Sequence, residues 1–227
     1  MTPIDASRVS DGVRLEKHDK VRPRIPARRM RRPSFPRPLE NFYDEAIQEK
    51  GKMYGKEWTS QRRTLQLADK GVRTYKYSGA SAADTIRFSK CPTVKLIRRY
   101  LYKDFDVWYN FCLVNFYPVV LDKQGNVDVK STAKLGWHSD DEDDIVEESP
   151  IASISLGDLR RFRVRSKKNN SIKWDHKLEH GSLVIMEGKC QKKMQHCIWG
   201  LGKKDVEAGD ASRGMRINLT FRVMKEE

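Results

Sequence analysis

The strongest constraint on how this chain can fold lies near its C-terminus, where residues 215–223 read MRINLTFRV. Apolar and polar side chains alternate with a period of two, the signature of a strand with one face on a core. Met215, Ile217, Leu219, Phe221 and Val223 are expected to face that core, leaving Arg216, Asn218, Thr220 and Arg222 together on the opposite face. Two arginines on one strand face are either an exposed polar surface or the lining of a site for an anion. Residues 107–117 (VWYNFCLVNFY) are nearly all β-branched or aromatic, and 151–156, 161–165 and 182–186 have the same character between turn-rich gaps. The chain is therefore expected to be α+β and mainly β. Two helices are predicted ahead of the strands: a short one in NFYDEAIQEKGKMYG ending near Gly51, and VKLIRRYL, which puts Val94, Ile97 and Leu101 on one face.

With 227 residues there is chain enough for one well-buried domain and an appendage. The appendage is expected at residues 1–38, a disordered basic tail without sustained apolar periodicity that carries 11 Lys and Arg against four Asp and Glu, and six of the nine prolines. Its stretch VRPRIPARRMRRPSFPRP suits a nuclear address, a nucleic-acid arm or a solubilising tail. The tail supplies half of the formal net charge of +14, a balance that favours a polyanionic partner, nucleic acid or an acidic membrane surface, without choosing between them. Cys91, Cys112, Cys190 and Cys197 show no CxxC spacing and are expected to be free thiols. No apolar run is long enough for a membrane span, and no signal-like stretch opens the sequence, so an intracellular protein without a membrane partner is expected.

GWHSDDE sets His138 and Asp140 two positions apart, so at the end of an extended strand both can reach one cation. His196, 56 residues after Asp140, completes a two-histidine, one-carboxylate set that leaves coordination positions open on Fe(II). His180 is the competing third ligand. A 2-ketoacid could occupy two open positions, and 2-oxoglutarate adds a far carboxylate that calls for arginine's planar fork, which Arg216 and Arg222 could supply.

With these features in order the sequence resembles the AlkB family, most nearly the eukaryotic nucleic-acid repair members with an HxDDE iron motif. The similarity runs from about Tyr54 to Arg222 and rests on NFY, WHSDDE, SPIASISLG, HGSLVIMEG, His196 and the terminal RxNxTxR. It implies a double-stranded β-helix, or jelly roll, over 107–227, preceded over 39–106 by helices and a nucleotide-recognition lid. It implies Fe(II) on His138, Asp140 and His196; 2-oxoglutarate on Asn115, Tyr117, Arg216, Asn218 and Arg222; O2 as co-reactant and ascorbate as a stimulant. Two sequence differences bear on substrate preference. Residues 118–134 form a longer insertion than the family pattern, and Leu67, Ala68 and Asp69 replace an aromatic-glycine turn.

The implied activity is oxidative dealkylation of N-alkylated bases, of the 1-methyladenine and 3-methylcytosine type, in DNA or RNA, with release of aldehyde, succinate and CO2. A same-fold demethylase or hydroxylase of RNA or protein, or a silent nucleic-acid binder, is the alternative. The lid resemblance makes Tyr77 the stacking face for the target base, with Tyr75 nearby, and MYGKEW suggests a duplex wedge with Tyr54 at its tip. Glu142, assisted by Asp141, is positioned to reach an exocyclic nitrogen. Arg161, Arg163 and Arg165 alternate with Phe162 and Val164, offering a positive strand face to phosphates. A monomer is expected, nuclear if the source is eukaryotic.

Overall fold

The computed structural model describes residues 21–24, 39–53, 56–72, 85–210 and 214–226. Twelve strands among them build two facing sheets. The larger holds β1 (Val21–Arg24), β2 (Ile47–Met53), β3 (Lys56–Ala68), β4 (Thr85–Arg87), β5 (Phe111–Pro118), β7 (Ile151–Gly157), β10 (Ser182–Met186) and β12 (Met215–Arg222). Its order is β1-β10-β7-β12-β5-β3-β2, with β4 parallel on β3. The smaller is β6 (Leu135–His138), β11 (Met194–Ile198), β8 (Arg160–Ser166) and β9 (Ile172–Leu178), ordered β6-β11-β8-β9. From β5 onward consecutive strands alternate between the sheets except at β8 and β9, which pair within the small one, and the pairing is antiparallel there, as in a jelly roll.

The helix predicted from Val94 is α1 (Pro92–Phe105), opened by Pro92 in its first turn and closed at Asp106, whose φ of 55° is left-handed. Val94, Ile97 and Leu101 are buried. They pack against the outward apolar row of the large sheet, including Leu65, Leu67, Val114, Phe116, Ile154, Leu219 and Phe221. Each such side chain is worth about 1.5–3 kcal/mol on full burial. Arg98, on the same helix, is held by Asp69 at 2.8 Å between the rings of Phe88 and Trp108. Asp69, where the family pattern has an aromatic-glycine turn, thus anchors α1 to the end of β3.

The other predicted helix does not form. Leu39–Phe42 is one 3-10 turn, and Ile47–Met53 is strand β2 paired to β3. The segment has good helix formers but no apolar face: only Phe42 and Ala46 among its described side chains are buried with Leu39, and Ile47 is exposed. Pairing with the 13-residue β3 satisfies more backbone than a short, unsupported helix could. The helices expected over 39–106 thus reduce to α1 among the described residues, and β2, β3 and β4 extend the large sheet.

Two boundaries also differ from expectation. The strand expected from Val107 begins at Phe111, because residues 107–110 leave α1 without a ladder partner; there Trp108 stays half exposed and its Nε1 donates to Asp69. Within the stretch expected to be unstructured, Val21–Arg24 pairs with β10 at the sheet edge, a position that tolerates Pro23. The insertion is a surface excursion closed by a Leu121–Val127 bridge and a 3-10 turn, Val129–Ser131, capped by Asp128. All four cysteines are buried and free, and no described helix is long and apolar enough to cross a membrane.

Candidate metal and dicarboxylate site

The alternation read from the sequence places Arg216, Asn218, Thr220 and Arg222 between the two sheets, where all four are buried. Their face is polar and enclosed. Asn115 lies opposite Asn218, and Tyr117 opposite Arg216.

At one end of this face, β6 and β11 set His138 directly against His196, with a bulge between His196 and Ile198. A carbonyl can only accept, so the His138 Nδ1–H donates to the Gly136 carbonyl at 2.8 Å, and Nε2, 3.8 Å from Asp140 Oδ1, is the ring nitrogen left for a metal. His196 stacks on Phe162 with centroids 5.4 Å apart. Ligand atoms of His138, Asp140 and His196 lie within 4.8 Å of one another. The backbone N–H of Asp140 donates to Gln191 Oε1 at 2.9 Å, and Arg222 Nη2 donates to Asp140 Oδ1 at 2.9 Å. Burial would raise the Asp140 carboxyl, but Arg222 and the two histidines outweigh it and hold it well below the usual carboxylate range. Burial, then the neighbouring His138, lowers His196 to about 3, so its imidazole offers a neutral nitrogen at physiological pH. Two imidazoles and one ionised carboxylate on a single side are a donor set that fits Fe(II) with positions left open.

At the other end, Arg216 donates from Nη2 to Ser155 Oγ at 2.9 Å, with its guanidinium 4.9 Å from the Tyr117 ring centroid. Its Nε and Nη1 are buried without a hydrogen-bond partner. Such donors are costly to leave unmet and suit a bound anion. Between the ends, Asn218 Nδ2 donates to Ser153 Oγ and the Ile154 carbonyl, while Thr220 Oγ1 donates to Asn218 Oδ1. The two arginines expected to share one carboxylate are six positions apart, roughly 20 Å along a strand. Arg222 lies against Asp140 at one end and Arg216 against Ser155 at the other, so the two guanidinium groups bracket the polar face instead of converging on one point.

The structure brings His138, Asp140, His196, Asn115, Tyr117, Arg216, Asn218 and Arg222 onto one enclosed face. His180 is elsewhere, accepting the Gly157 N–H on Nδ1 at 2.9 Å, which removes it as the competing third ligand. Asp141 is exposed and paired with Lys167 at 2.9 Å. Glu142 is half-buried and lines a cleft of about 280 Å³ together with Asp140, Asp141, Gln191 and Lys192. Tyr54, Tyr75 and Tyr77 lie outside the described residues.

Arg161, Arg163 and Arg165 share the outer face of the small sheet, yet each is engaged. Asp175 binds Arg161 at 2.9 Å and Arg163 at 2.8 Å, and Arg165 donates to Gln195. Arg163 and Arg165 also lie over Trp199 and Trp137. The face is less positive than its sequence suggests.

Besides Arg98 on α1, two further buried arginines were not anticipated. Arg62 Nη1 donates to Asn115 Oδ1 at 2.8 Å, fixing that amide's orientation. Its signal was the alternation Arg62, Thr64, Gln66 against Leu65 and Leu67. Arg160 shares the inward parity of Phe162 and Val164 and is 1% exposed.

A profile of the 2OG-Fe(II) oxygenase superfamily matches residues 26–222. The rat protein "Alpha-ketoglutarate-dependent dioxygenase alkB homolog 3" is 36% identical over 124 residues, covering 51% of this chain and 36% of that protein. The human "DNA oxidative demethylase ALKBH2" is 28% identical over 177 residues, 75% of this chain and 59% of its own. Its Arabidopsis thaliana namesake is 26% identical over 196 residues, 76% and 56% respectively. The chain thus spans less than two thirds of the length of each of these relatives. The metal group, the bracketing arginines and the profile across nearly the whole described core agree: the chain belongs to the 2OG-Fe(II) oxygenase superfamily, among its AlkB-like members.

Proposed function

We propose that this protein removes alkyl groups oxidatively from N-alkylated bases in nucleic acid, using Fe(II), O2 and 2-oxoglutarate. The observation that carries the reading is one enclosed polar face with a two-histidine, one-carboxylate group at one end and a buried arginine with unmet donors at the other. The loaded iron centre supplies oxidation of the N-alkyl carbon, coupled to conversion of 2-oxoglutarate to succinate and CO2; the hydroxylated group then leaves as aldehyde.

The chain's own residues place the reactants. His138, Asp140 and His196 hold the metal, and Arg222 keeps the carboxylate ionised and aimed. Gln191 fixes the backbone that carries Asp140. Arg216 and Tyr117 receive the far carboxylate of 2-oxoglutarate, Asn115 and Asn218 line its path, and Arg62 orients Asn115. An alkyl group on a base's pairing edge is hidden in a duplex, so the base must be flipped out or offered in a single strand. Tyr77 and Tyr75 are assigned to stacking on that base, Tyr54 to wedging the duplex, and Glu142 with Asp141 to its exocyclic nitrogen. Arg161, Arg163 and Arg165 are assigned to phosphates.

The nucleic-acid assignment draws on the basic balance of the chain and on the relatives named as DNA demethylases. The test is purified protein with Fe(II), 2-oxoglutarate and ascorbate on methylated single-stranded and duplex DNA and RNA oligonucleotides, reading demethylated base and succinate by mass. Loss of methyl groups with matching succinate is expected. Succinate formed without any change in the oligonucleotides would move the assignment to another substrate, and no succinate from an iron-loaded sample would overturn the oxygenase reading.

A further inference from the structure

β7 ends at Gly157, which lies opposite Arg216, and the chain crosses at once to the small sheet, where Arg160 opens β8. The crossing is tight: Gly157 has φ +81°, and the Asp158 N–H donates to the Met215 carbonyl at 2.9 Å. Arg160 shares the buried register of Phe162 and Val164, two residues that pack in one cluster with Tyr117. It is almost completely buried. Its Nη1 donates to the neighbouring Leu159 carbonyl at 2.8 Å, while Nε and Nη2 have no hydrogen-bond partner. Arg216 likewise keeps Nε and Nη1 without one.

Two buried guanidinium groups, each with two unmet donors, are unfavourable unless an anion completes them. Their closeness follows from the chain path: Gly157, the strand partner of Arg216, is three residues before Arg160. Burial, then the like charge of Arg160 acting against Tyr117, brings Arg216 down to about 10, and Arg160 is lowered by burial against the pull of Asp158, Tyr117 and Asp210. Asp210 is held by Lys177, and Arg160 Nε and Nη2 remain without a hydrogen-bond partner.

We infer that Arg160 is a second cationic anchor for the far carboxylate of the dicarboxylate cosubstrate, acting with Arg216 and contributed by the opposite sheet. The inference rests on the 2-oxoglutarate reading above and deepens it. A carboxylate gripped from both sheets joins their ends, so cosubstrate binding would also brace the Gly157 crossing. Selectivity would follow for ketoacids with a distal carboxylate over those with an apolar tail.

The test uses the full chain loaded with Mn(II), which gives binding without turnover. Titration calorimetry would measure 2-oxoglutarate and, separately, 2-oxopentanoate, which keeps the ketoacid end and lacks the far carboxylate. Arg160→Gln should weaken 2-oxoglutarate about tenfold or more, leave 2-oxopentanoate and Mn(II) affinity within about twofold, and shrink the preference for the dicarboxylate. Arg160→Lys, which retains the charge and most of the stem, should lie between and serves as the test if the glutamine variant does not fold. Unchanged 2-oxoglutarate affinity in a folded variant, or equal losses for both ketoacids, would overturn the inference and leave the oxygenase reading standing. A wild-type protein that binds Mn(II) but no 2-oxoglutarate would overturn both.

Discussion

Replacing Gly157 by alanine isolates the geometry on which the far end of the site depends, because Gly181 provides a matched control. Both glycines are left-handed, with φ of +81° and +86°. An L residue pays about 1–2 kcal/mol for that conformation, partly offset by about 0.4–1 kcal/mol from a less flexible unfolded chain. At Gly181 an added Cβ meets nothing within 4 Å, so Gly181→Ala should cost only about 1 kcal/mol. At Gly157 the added Cβ would lie 2.1 Å from the Met215 carbonyl oxygen, which is backbone and cannot rotate away. Relief requires β7 and β12 to part by about 1 Å, judged against ordinary non-bonded separations. That oxygen also accepts the Asp158 N–H, and the adjacent pair Gly157–Arg216 is the last rung of the β7–β12 ladder. Losing these bonds at about 0.5–1.5 kcal/mol each brings the expected cost of Gly157→Ala to about 3–4 kcal/mol. Urea unfolding of the metal-free proteins, compared at equal m-value, should separate the variants by at least about 2 kcal/mol. In the Mn(II) form, Gly157→Ala should also weaken 2-oxoglutarate, since Arg216 moves with β12, whereas Gly181→Ala should not. Equal destabilisation by the two substitutions, within about 0.5 kcal/mol, would refute the proposed close approach.

Asp140→Ala should abolish metal binding and turnover while leaving oligonucleotide affinity within a few-fold, because the carboxylate serves the metal and Arg222 rather than phosphates; retained demethylation in an iron-loaded sample would contradict this. Metal-free protein should lose stability as pH falls. His196 is lowered to about 3 in the fold, so its contribution is complete above the unfolded value of about 6.5 and fades as pH drops toward 3. Urea unfolding at pH 7 and pH 5 should show a loss of about 2 kcal/mol from this residue, absent in His196→Asn. Removing residues 1–38 should weaken oligonucleotide binding and flatten its dependence on salt without slowing the chemical step at saturation; an unaltered slope would show that the tail makes no phosphate contacts. Asp175→Asn, which releases Arg161 and Arg163, should instead steepen that dependence by up to about one unit if this face meets phosphates, and an unchanged slope would place the nucleic acid elsewhere.

Local periodicity determined much of the fold and most of the candidate site. A period of two in residues 215–222 specified a strand and its two faces, and Val94, Ile97 and Leu101 specified the buried stripe of α1, because these patterns depend only on backbone geometry. His138, Asp140 and His196 could be chosen from sequence because the chemistry of the donors limits which residue types can serve. Tertiary structure decided what local pattern leaves open. The segment after Phe42 has helix formers, but the edge of β3 offered its backbone better partners than an unsupported helix, so it became β2. Arg216 and Arg222 looked like one fork in a string of letters; strand rise separates them, and Asp140 claims Arg222. Arg161 and Arg163 looked free until the packing of β8 on β9 brought Asp175 against them. Arg160 shared the parity of Phe162 and Val164, but only the crossing at Gly157, whose strand partner is Arg216, shows which end of the other sheet it opens against. Strand parity says which face a side chain takes, but which sheet that face meets is set by pairings between residues far apart in sequence.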